Sequence, residues 1–241
     1  MKIGIISDIH GNAEAFTAVL GHMNGRRIDR IISLGDNIGY GPDSEKVLAL
    51  LRERKIDSVM GNHELAATDA KFLRGFNPTS RIAVEIAINA LSSESLAQIR
   101  KMKSSLVFKN VRFVHGFPPN AIRLYIFQVA EHKLRRTLLT MPEALCFVGH
   151  THDLSIHGIE GETVIEKPLG PGKMAIPTDG KHIVNAGSVG QPRDGNLSAK
   201  YLIWDSEKGT IEINHVPYDA RETVRKMKLC GIPDQYGVRL L

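Results

Sequence analysis

Apolar runs and helical stripes alternate along the first third of the chain. Residues 2 to 7, KIGIIS, form an apolar run the length of one strand. Residues 13 to 24 then place Phe16, Val19, Leu20 and Met23 at three- and four-residue spacing, one face of a helix. A second run at 30 to 34 is followed by a helix over about 43 to 54, opened by Pro42, Asp43 and Ser44. Its apolar face is Val47, Leu48, Leu50 and Leu51. The next run, DSVMG at 57 to 61, is a third strand. This order predicts parallel pairing with right-handed crossovers.

The period then changes twice. From 63 to 102 the pattern is mainly helical, with Ile82, Ile86 and Leu91 in one stripe and Leu96, Ile99 and Met102 in another. LVFKNVRFVHG at 106 to 116 predicts a hairpin turning near Lys109 and Asn110, and a helix rich in Leu and Arg is predicted over about 121 to 139. After His152 the alternation becomes that of antiparallel strands. IHGIEGETVIE turns at Glu160 and Gly161, and IWDSEKGTIEINHV turns near Lys208 and Gly209. PLGPGKMAIPTDG, 168 to 180, is predicted to be an exposed or mobile loop because of its Pro and Gly content. A last helix over 219 to 229 opens on Asp219 with Glu222 three residues on, a capping-box spacing, and stops at Gly231 and Pro233. No repeat or linker interrupts the chain. The expectation is one domain over 1–241, with a core to about 217 and a C-terminal helix and tail from 218. The pattern leaves open whether that tail packs on the domain or on a partner.

Composition narrows the class. With 42% hydrophobic and 24% charged residues, the chain has the balance of an ordinary soluble domain rather than a disordered one. No apolar stretch approaches the roughly 18 residues of a membrane helix. The first run stops at an acidic residue, as a strand does and a signal peptide does not. Cys146 and Cys230 have neither metal nor disulfide spacing, so two reduced thiols and a cytoplasmic location are expected. The net charge of +5 favours phosphate-bearing partners. There is no long basic block or aromatic-rich stretch, and HKLRRT at 132 to 137 reads as a solvated helix face, so nucleic acid is not the expected partner. A homo-oligomer stays open.

The chemistry lies at the ends of five apolar runs. IGIISDIHGN ends in Asp8 and His10, RIISLGDN in Asp36, SVMGNHE in Asn62 and His63, VRFVHG in His115, and LCFVGHTH in His150 and His152. In α/β folds, ligands sit beyond the carboxyl ends of parallel strands, so strands sharing one sheet would bring all five tips to one crevice. Asp, Asn and His together suit borderline divalent metals. Two residues apart on extended backbone, Asp8 and His10 point the same way. Asp36 follows a glycine and is the natural bridging carboxylate. Singly, each residue has a plainer explanation: a strand-end His is commonly solvated, and Asp8 could cap the helix near residue 12. Such coincidences would have to recur at every tip. His22, His132, His157, His182 and His215 lack this context and are expected to be surface or structural.

In this order, SDIHGN, GDNIGYGP, GNHE, VHG and GHTH resemble the calcineurin-like metallophosphoesterase superfamily, over residues 1 to about 205. The resemblance implies a four-layer α/β/β/α sandwich of two mixed sheets with two divalent ions, Mn, Fe or Zn, at strand C-terminal ends. It places Asp8, His10, Asp36 and His152 on one metal and Asp36, Asn62, His115 and His150 on the other. His63 is then the uncoordinated histidine that touches the phosphate or protonates the leaving group. GYGPDSEKV and NAGSVGQPRDG are similar to stretches of small prokaryotic phosphodiesterases of that superfamily. Within the second, Arg193 could fork onto a substrate phosphate or pair with Asp194. Protein Ser/Thr phosphatases of the superfamily carry GD-x-x-DRG, whose second Asp orients the histidine and whose Arg holds phosphate. Here those positions are Gly39 and Tyr40. This argues against a protein phosphatase and leaves Glu64 or Asp43 as candidates to orient His63. Tyr40 could line the substrate pocket or only pack beside the metals.

The expected activity is hydrolysis of a nucleotide or other small phosphodiester by attack of a metal-bridging hydroxide, with His63 assisting the leaving oxygen. A phosphomonoesterase of the same superfamily, a nuclease and a non-catalytic metal-binding scaffold are the alternatives.

Overall fold

The computed structural model describes residues 1–241. As the first apolar runs predict, β1 (Lys2–Ile6), β2 (Arg30–Ser33) and the short β3 (Asp57–Ser58) pair in parallel, connected through α1 (Ala13–Met23) and α2 (Ser44–Glu53). Ile3 and Ile5 point to one face of the sheet and Ile6 to the other, and all three are fully buried. The cap of α1 is Asn12, whose side chain accepts from the Ala15 amide, so Asp8 is free of that duty.

The strand tips do not share one sheet, contrary to the simplest reading. The first sheet runs β3-β2-β1-β11-β12-β9, with β9 (Gly172–Ala175), β11 (Ala199–Asp205) and β12 (Thr210–Val216). The second runs β4-β5-β6-β10-β7-β8, formed by β4 (Ser105–Phe108), β5 (Val111–Val114), β6 (Leu145–Val148), β7 (Leu154–Glu160), β8 (Thr163–Pro168) and β10 (His182–Ala186). The sheets stack face to face over Ile3, Ile5, Phe113, Phe147, Val184 and Trp204. The helices α1 and α2 cover the outer face of the first sheet through Phe16, Val19, Val47 and Leu51. On the second, α7 (Glu131–Thr140) buries Leu134 and Leu138 against Val114, Cys146 and Ile183. This is the four-layer α/β/β/α sandwich. The three predicted hairpins are β4–β5, β7–β8 and β11–β12, with Lys109, Asn110, Gly161 and Gly209 at positive φ in the turns.

Three expectations need correcting. Residues 168–180 are mostly exposed as expected, but Leu169 is buried in the core and β9 lies within them: the free edge of β12 offers its backbone, and Met174 adds an apolar side chain to the core. The helix foreseen over 121–139 begins only at Glu131. Residues 121–130 form a loop with one 3-10 turn at Ile126–Gln128, pinned by the pairing of Phe117 with Ala121 and by burial of Ile126. Between β3 and β4 lie α3 (Asn62–Thr68), α4 (Ala70–Leu73), α5 (Pro78–Asn89) and α6 (Ser93–Arg100). Of the stripe assigned to α5, Ile82 is 46% exposed; the buried face is instead Ser80, Ala83, Val84 and Ala87. Those small side chains make room for the C-terminal segment.

That segment packs on the protein itself. In α8 (Ala220–Leu229), Asp219 accepts from the Glu222 amide, whereas the Glu222 carboxylate turns to Arg225 instead of completing a capping box. After Gly231, α9 (Asp234–Val238) buries Tyr236 and, beyond it, Leu240 is buried too. No helix is long and apolar enough to cross a membrane.

Candidate metal centre

All seven predicted donors and His63 converge, arriving from both sheets. Asp8 and His10 follow β1, Asp36 follows β2, and Asn62 and His63 open α3. His115 follows β5, and His150 and His152 follow β6. The extended backbone assumed for Asp8-x-His10 is absent. Asp8, His10, Asp36, Tyr40, His150 and His152 all adopt positive φ, between 49° and 70°. Non-glycine residues seldom do, and such strain persists where the surroundings impose it. Here the left-handed turns curl both D-x-H and H-x-H around the centre.

Each carboxylate has one oxygen spoken for and one aimed inward. Asp8 Oδ2 accepts from Ser7 Oγ and, at 3.0 Å, from the His150 amide. Its Oδ1 is buried without a hydrogen-bond partner, 3.2 Å from His152 Nε2 and 3.7 Å from His10 Nε2. Asp36 Oδ1 accepts from the His63 amide at 2.9 Å. Its Oδ2 lies 3.3 Å from His115 Nε2 and 3.9 Å from His10 Nε2, between the two halves of the cluster.

Four histidines have their tautomers fixed by backbone carbonyls. His10 Nδ1 donates to Ile38 O, His115 Nδ1 to Leu34 O, His152 Nδ1 to Gln191 O and His150 Nε2 to Arg123 O. In the neutral ring the other nitrogen of each then carries a lone pair. Those lone pairs meet head on: His10 Nε2 is 3.1 Å from His152 Nε2, and His115 Nε2 is 3.0 Å from His150 Nδ1. Asn62 Oδ1 joins the second pair, 3.1 Å from His115 Nε2. Acceptors packed on acceptors, with an orphan carboxylate oxygen among them, fit cations. Two groups, Asp8–His10–His152 and Asp36–His115–His150, have the reach for two ions, and the N/O donor set suits Mn, Fe or Zn.

The electrostatics agree. Burial keeps the imidazoles of His10 and His150 neutral, His150 down to about 3. Burial would raise both aspartates, but His152 beside Asp8 and His115 beside Asp36 hold these carboxyls well below the usual range. His115 is the exception: burial works against its charge, but the Asp36 charge beside Nε2 pushes it up to about 9, so with no cation present a proton is favoured on the nitrogen that faces Asp36.

His63 is different. Its Nε2 lies 3.8 Å from Asp36 Oδ2, giving a third triad with His10 and Asp36, but its buried Nδ1 has no partner at all. Neither Glu64 nor Asp43 orients it. Glu64 accepts from the amides of Asp36, Asn37 and Gly61 and so ties the Asp36 loop to α3, while Asp43 pairs with Lys226. Burial and the nearby Asp36 charge push Glu64 up to about 7. The ring of His63 is held by packing: Tyr40 at 4.4 Å, His10 at 4.7 Å and Phe76 at 5.5 Å between centroids. A Cβ on Gly39 would lie 2.0 Å from His63 Nδ1, so the ring rests on a bare backbone. Tyr40 borders a cleft beside the centre and packs on His10 and His63.

NAGSVGQ is scaffolding. Asn185 holds the 149–151 turn, Ser188 Oγ donates to Asp8 O, and Gly190 N donates to the same carbonyl. A Cβ on Gly190 would come 1.8 Å from Ile9 O, so the close approach is to a loop. Arg193, at its exposed end, is not paired to Asp194, which binds the buried Lys200 at 2.6 Å. Burial raises the phenols of Tyr40 and Tyr125, and the Arg193 charge acts against that on both.

Residues 1–209 match the model of the calcineurin-like phosphoesterase superfamily domain. The chain belongs to that superfamily. This metallophosphoesterase is 33% identical over 243 residues to an uncharacterized protein of Methanocaldococcus jannaschii, covering 99% of this chain and 96% of the other. The crystal structure of a metallophosphoesterase from Sphaerobacter thermophilus superposes with a TM-score of 0.83 at 32% identity, covering 100% of this chain and 98% of that one. A 69-residue stretch is 42% identical to Serine/threonine-protein phosphatase 2 of Escherichia coli, 28% of this chain and 32% of the other. Membership makes the chain a hydrolase of phosphoesters with clustered donors for two metal ions.

Sequence reasoning missed a wall of the site. Phe72, Phe76, Arg123 and Tyr125 line a cleft of about 220 Å³ that opens on Asn62 and His150. The PPN at 118–120 was the signal against a helix at 121. The contribution of Ser7 had no signal beyond its place next to Asp8.

Proposed function

We propose that this metallophosphoesterase is a phosphodiesterase acting on a small diester, with two divalent ions held by Asp8, His10, Asp36, Asn62, His115, His150 and His152. The paired, inward-facing imidazole lone pairs carry the two-ion part of this reading. When bound, the ions neutralise the phosphoryl oxygens and acidify a water. Asp36 spans both halves of the cluster through Oδ2. His63 has a ring nitrogen that no carbonyl fixes, so it is the imidazole free to pass a proton to the leaving oxygen. Arg193, at the rim, meets a phosphate oxygen, and Tyr40 borders the substrate. A diester brings one negative charge fewer than a monoester, which suits a site with neutral Tyr40 where phosphatases place an Arg that holds phosphate. The free thiols, one buried and one exposed, accord with a reducing cytoplasm.

The test compares bis-p-nitrophenyl phosphate with p-nitrophenyl phosphate on metal-stripped protein, with Mn²⁺ added back. Turnover of the diester well above the monoester is expected. The reverse order would make the protein a phosphomonoesterase, a reading favoured by the stretch similar to the Escherichia coli phosphatase.

A further inference from the structure

The cleft beside the metal centre has an unusual lining. Tyr125 stacks on His150 with ring centroids 3.7 Å apart and planes 13° from parallel. Across the cleft, Phe72 and Phe76 meet edge to face at 5.6 Å, and Phe76 in turn meets His63. The Arg123 guanidinium lies over the Phe72 ring, 4.6 Å from its centroid. A planar guanidinium stacked on one ring has a second face to offer another. Aromatic walls with a flat cation recur where proteins hold bases, because every base has a π-face. At about 220 Å³ the cleft is smaller than the roughly 300–1,000 Å³ of pockets that take a whole drug-sized ligand. It admits one ring system while the rest of the ester lies over Asn62 and His150.

We infer that this cleft is the subsite for a nucleobase, so that the substrate of the site is a nucleotide ester whose base lies among Phe72, Phe76, Arg123 and Tyr125. This rests on the phosphoesterase reading of the adjacent centre and adds what that reading lacks, a group that recognises the part of the substrate that does not react. Phe72 and Arg123 are the residues to probe, since Tyr125 lies against His150 and its loss would disturb the centre as well.

The experiment is calorimetric binding of AMP and of ribose 5-phosphate to the metal-loaded full chain, with phosphate release followed in the same samples. The readout is the ratio of the two affinities within each protein, which cancels any general weakening. AMP is expected to bind about 5- to 100-fold tighter than ribose 5-phosphate. In Phe72→Ala and in Arg123→Ala the ratio should fall towards one, and Phe72→Tyr should keep it. Equal affinities in the unmodified protein, or a ratio untouched by both alanine variants, would overturn the subsite. If the ratio behaves as expected but the same metal-loaded protein does not turn over bis-p-nitrophenyl phosphate, the subsite stands and the phosphodiesterase reading fails.

Discussion

At His63 the site departs from its own rule. The other four histidines each give one nitrogen to a backbone carbonyl, while His63 leaves Nδ1 unpartnered over Gly39 and is held by Tyr40, His10 and Phe76. A residue positioned by packing keeps the metals out of its own fate. His63→Ala should therefore retain two metals per chain by elemental analysis while turnover falls about 10²- to 10⁴-fold. Asp36→Asn should behave in the opposite way. It weakens the one oxygen shared by both halves, so metal content should drop below two per chain along with activity. Normal turnover in the first variant, or full metal content in the second, would remove the role given to that residue. Ser7 offers a finer check: it holds Asp8 Oδ2 so that Oδ1 faces inward, and Ser7→Ala should weaken metal affinity by about 10- to 100-fold in a chelator competition.

Elements carry these residues, and the sequence exposes elements unevenly. The tips of β1, β2, β5 and β6 were legible because each apolar run ends abruptly in a polar donor, and burial on both faces keeps such runs uniformly apolar. The hairpins were legible from their turn residues. Which sheet each strand joins was not, because pairing across β10 and β11 depends on backbone register between distant segments. The left-handed turns at Asp8, His10, His150 and His152 were hidden as well, since nothing in Asp or His requires positive φ; distant segments hold them, the 35–41 loop at Asp8 and His10, Asp8 Oδ2 at His150, and the 187–191 loop at Asp8 and His152. That loop, 187–191, threads beside β1, with Val189 N donating to Ser7 O and Gly190 N to Asp8 O. Gly190→Ala forces a methyl onto Ile9 O. It should cost about 2 kcal/mol or more in denaturant unfolding, as overpacking against unyielding backbone does. Ala at Gly170, which like Gly190 lies outside the positive-φ region but where a Cβ meets nothing within 4 Å, supplies the contrast. Equal losses at both sites would mean that the tight passage does not set the cost.

Across the whole molecule, the centre is a seam between two sheets. Asp8, His10, Asp36 and Asn62 come from connections of the first sheet, and His115, His150 and His152 from the second. Ions held there would tie the sheets together at their C-terminal ends, where the interior is polar and the apolar core gives no help. Ligand bound only to the folded state stabilises it by about 2.7 kcal/mol at a concentration 100 times its Kd. For a chain of this size 1 kcal/mol moves Tm by about 2–4 °C. Removing the metals with a chelator should therefore lower Tm by about 5–10 °C, and adding Mn²⁺ back should restore it. The C-terminal segment lies beyond the residues matched by the family model and packs beside the centre behind Tyr40 and Ser80. Tyr236 stacks on Tyr40 with centroids 4.3 Å apart, shares a hydrogen bond with Ser80 at 2.9 Å, and its carbonyl accepts from Gln191. Tyr40 in turn packs on His63 and His10. The tail thus supports His63 through one intervening ring, without touching a metal donor. Tyr236→Ala should lower kcat while leaving two metals bound, and Tyr236→Phe, which keeps the ring and loses only the Ser80 hydrogen bond, should recover most of the loss. A fall in metal content that matches the fall in kcat would show instead that the tail holds the centre as a whole.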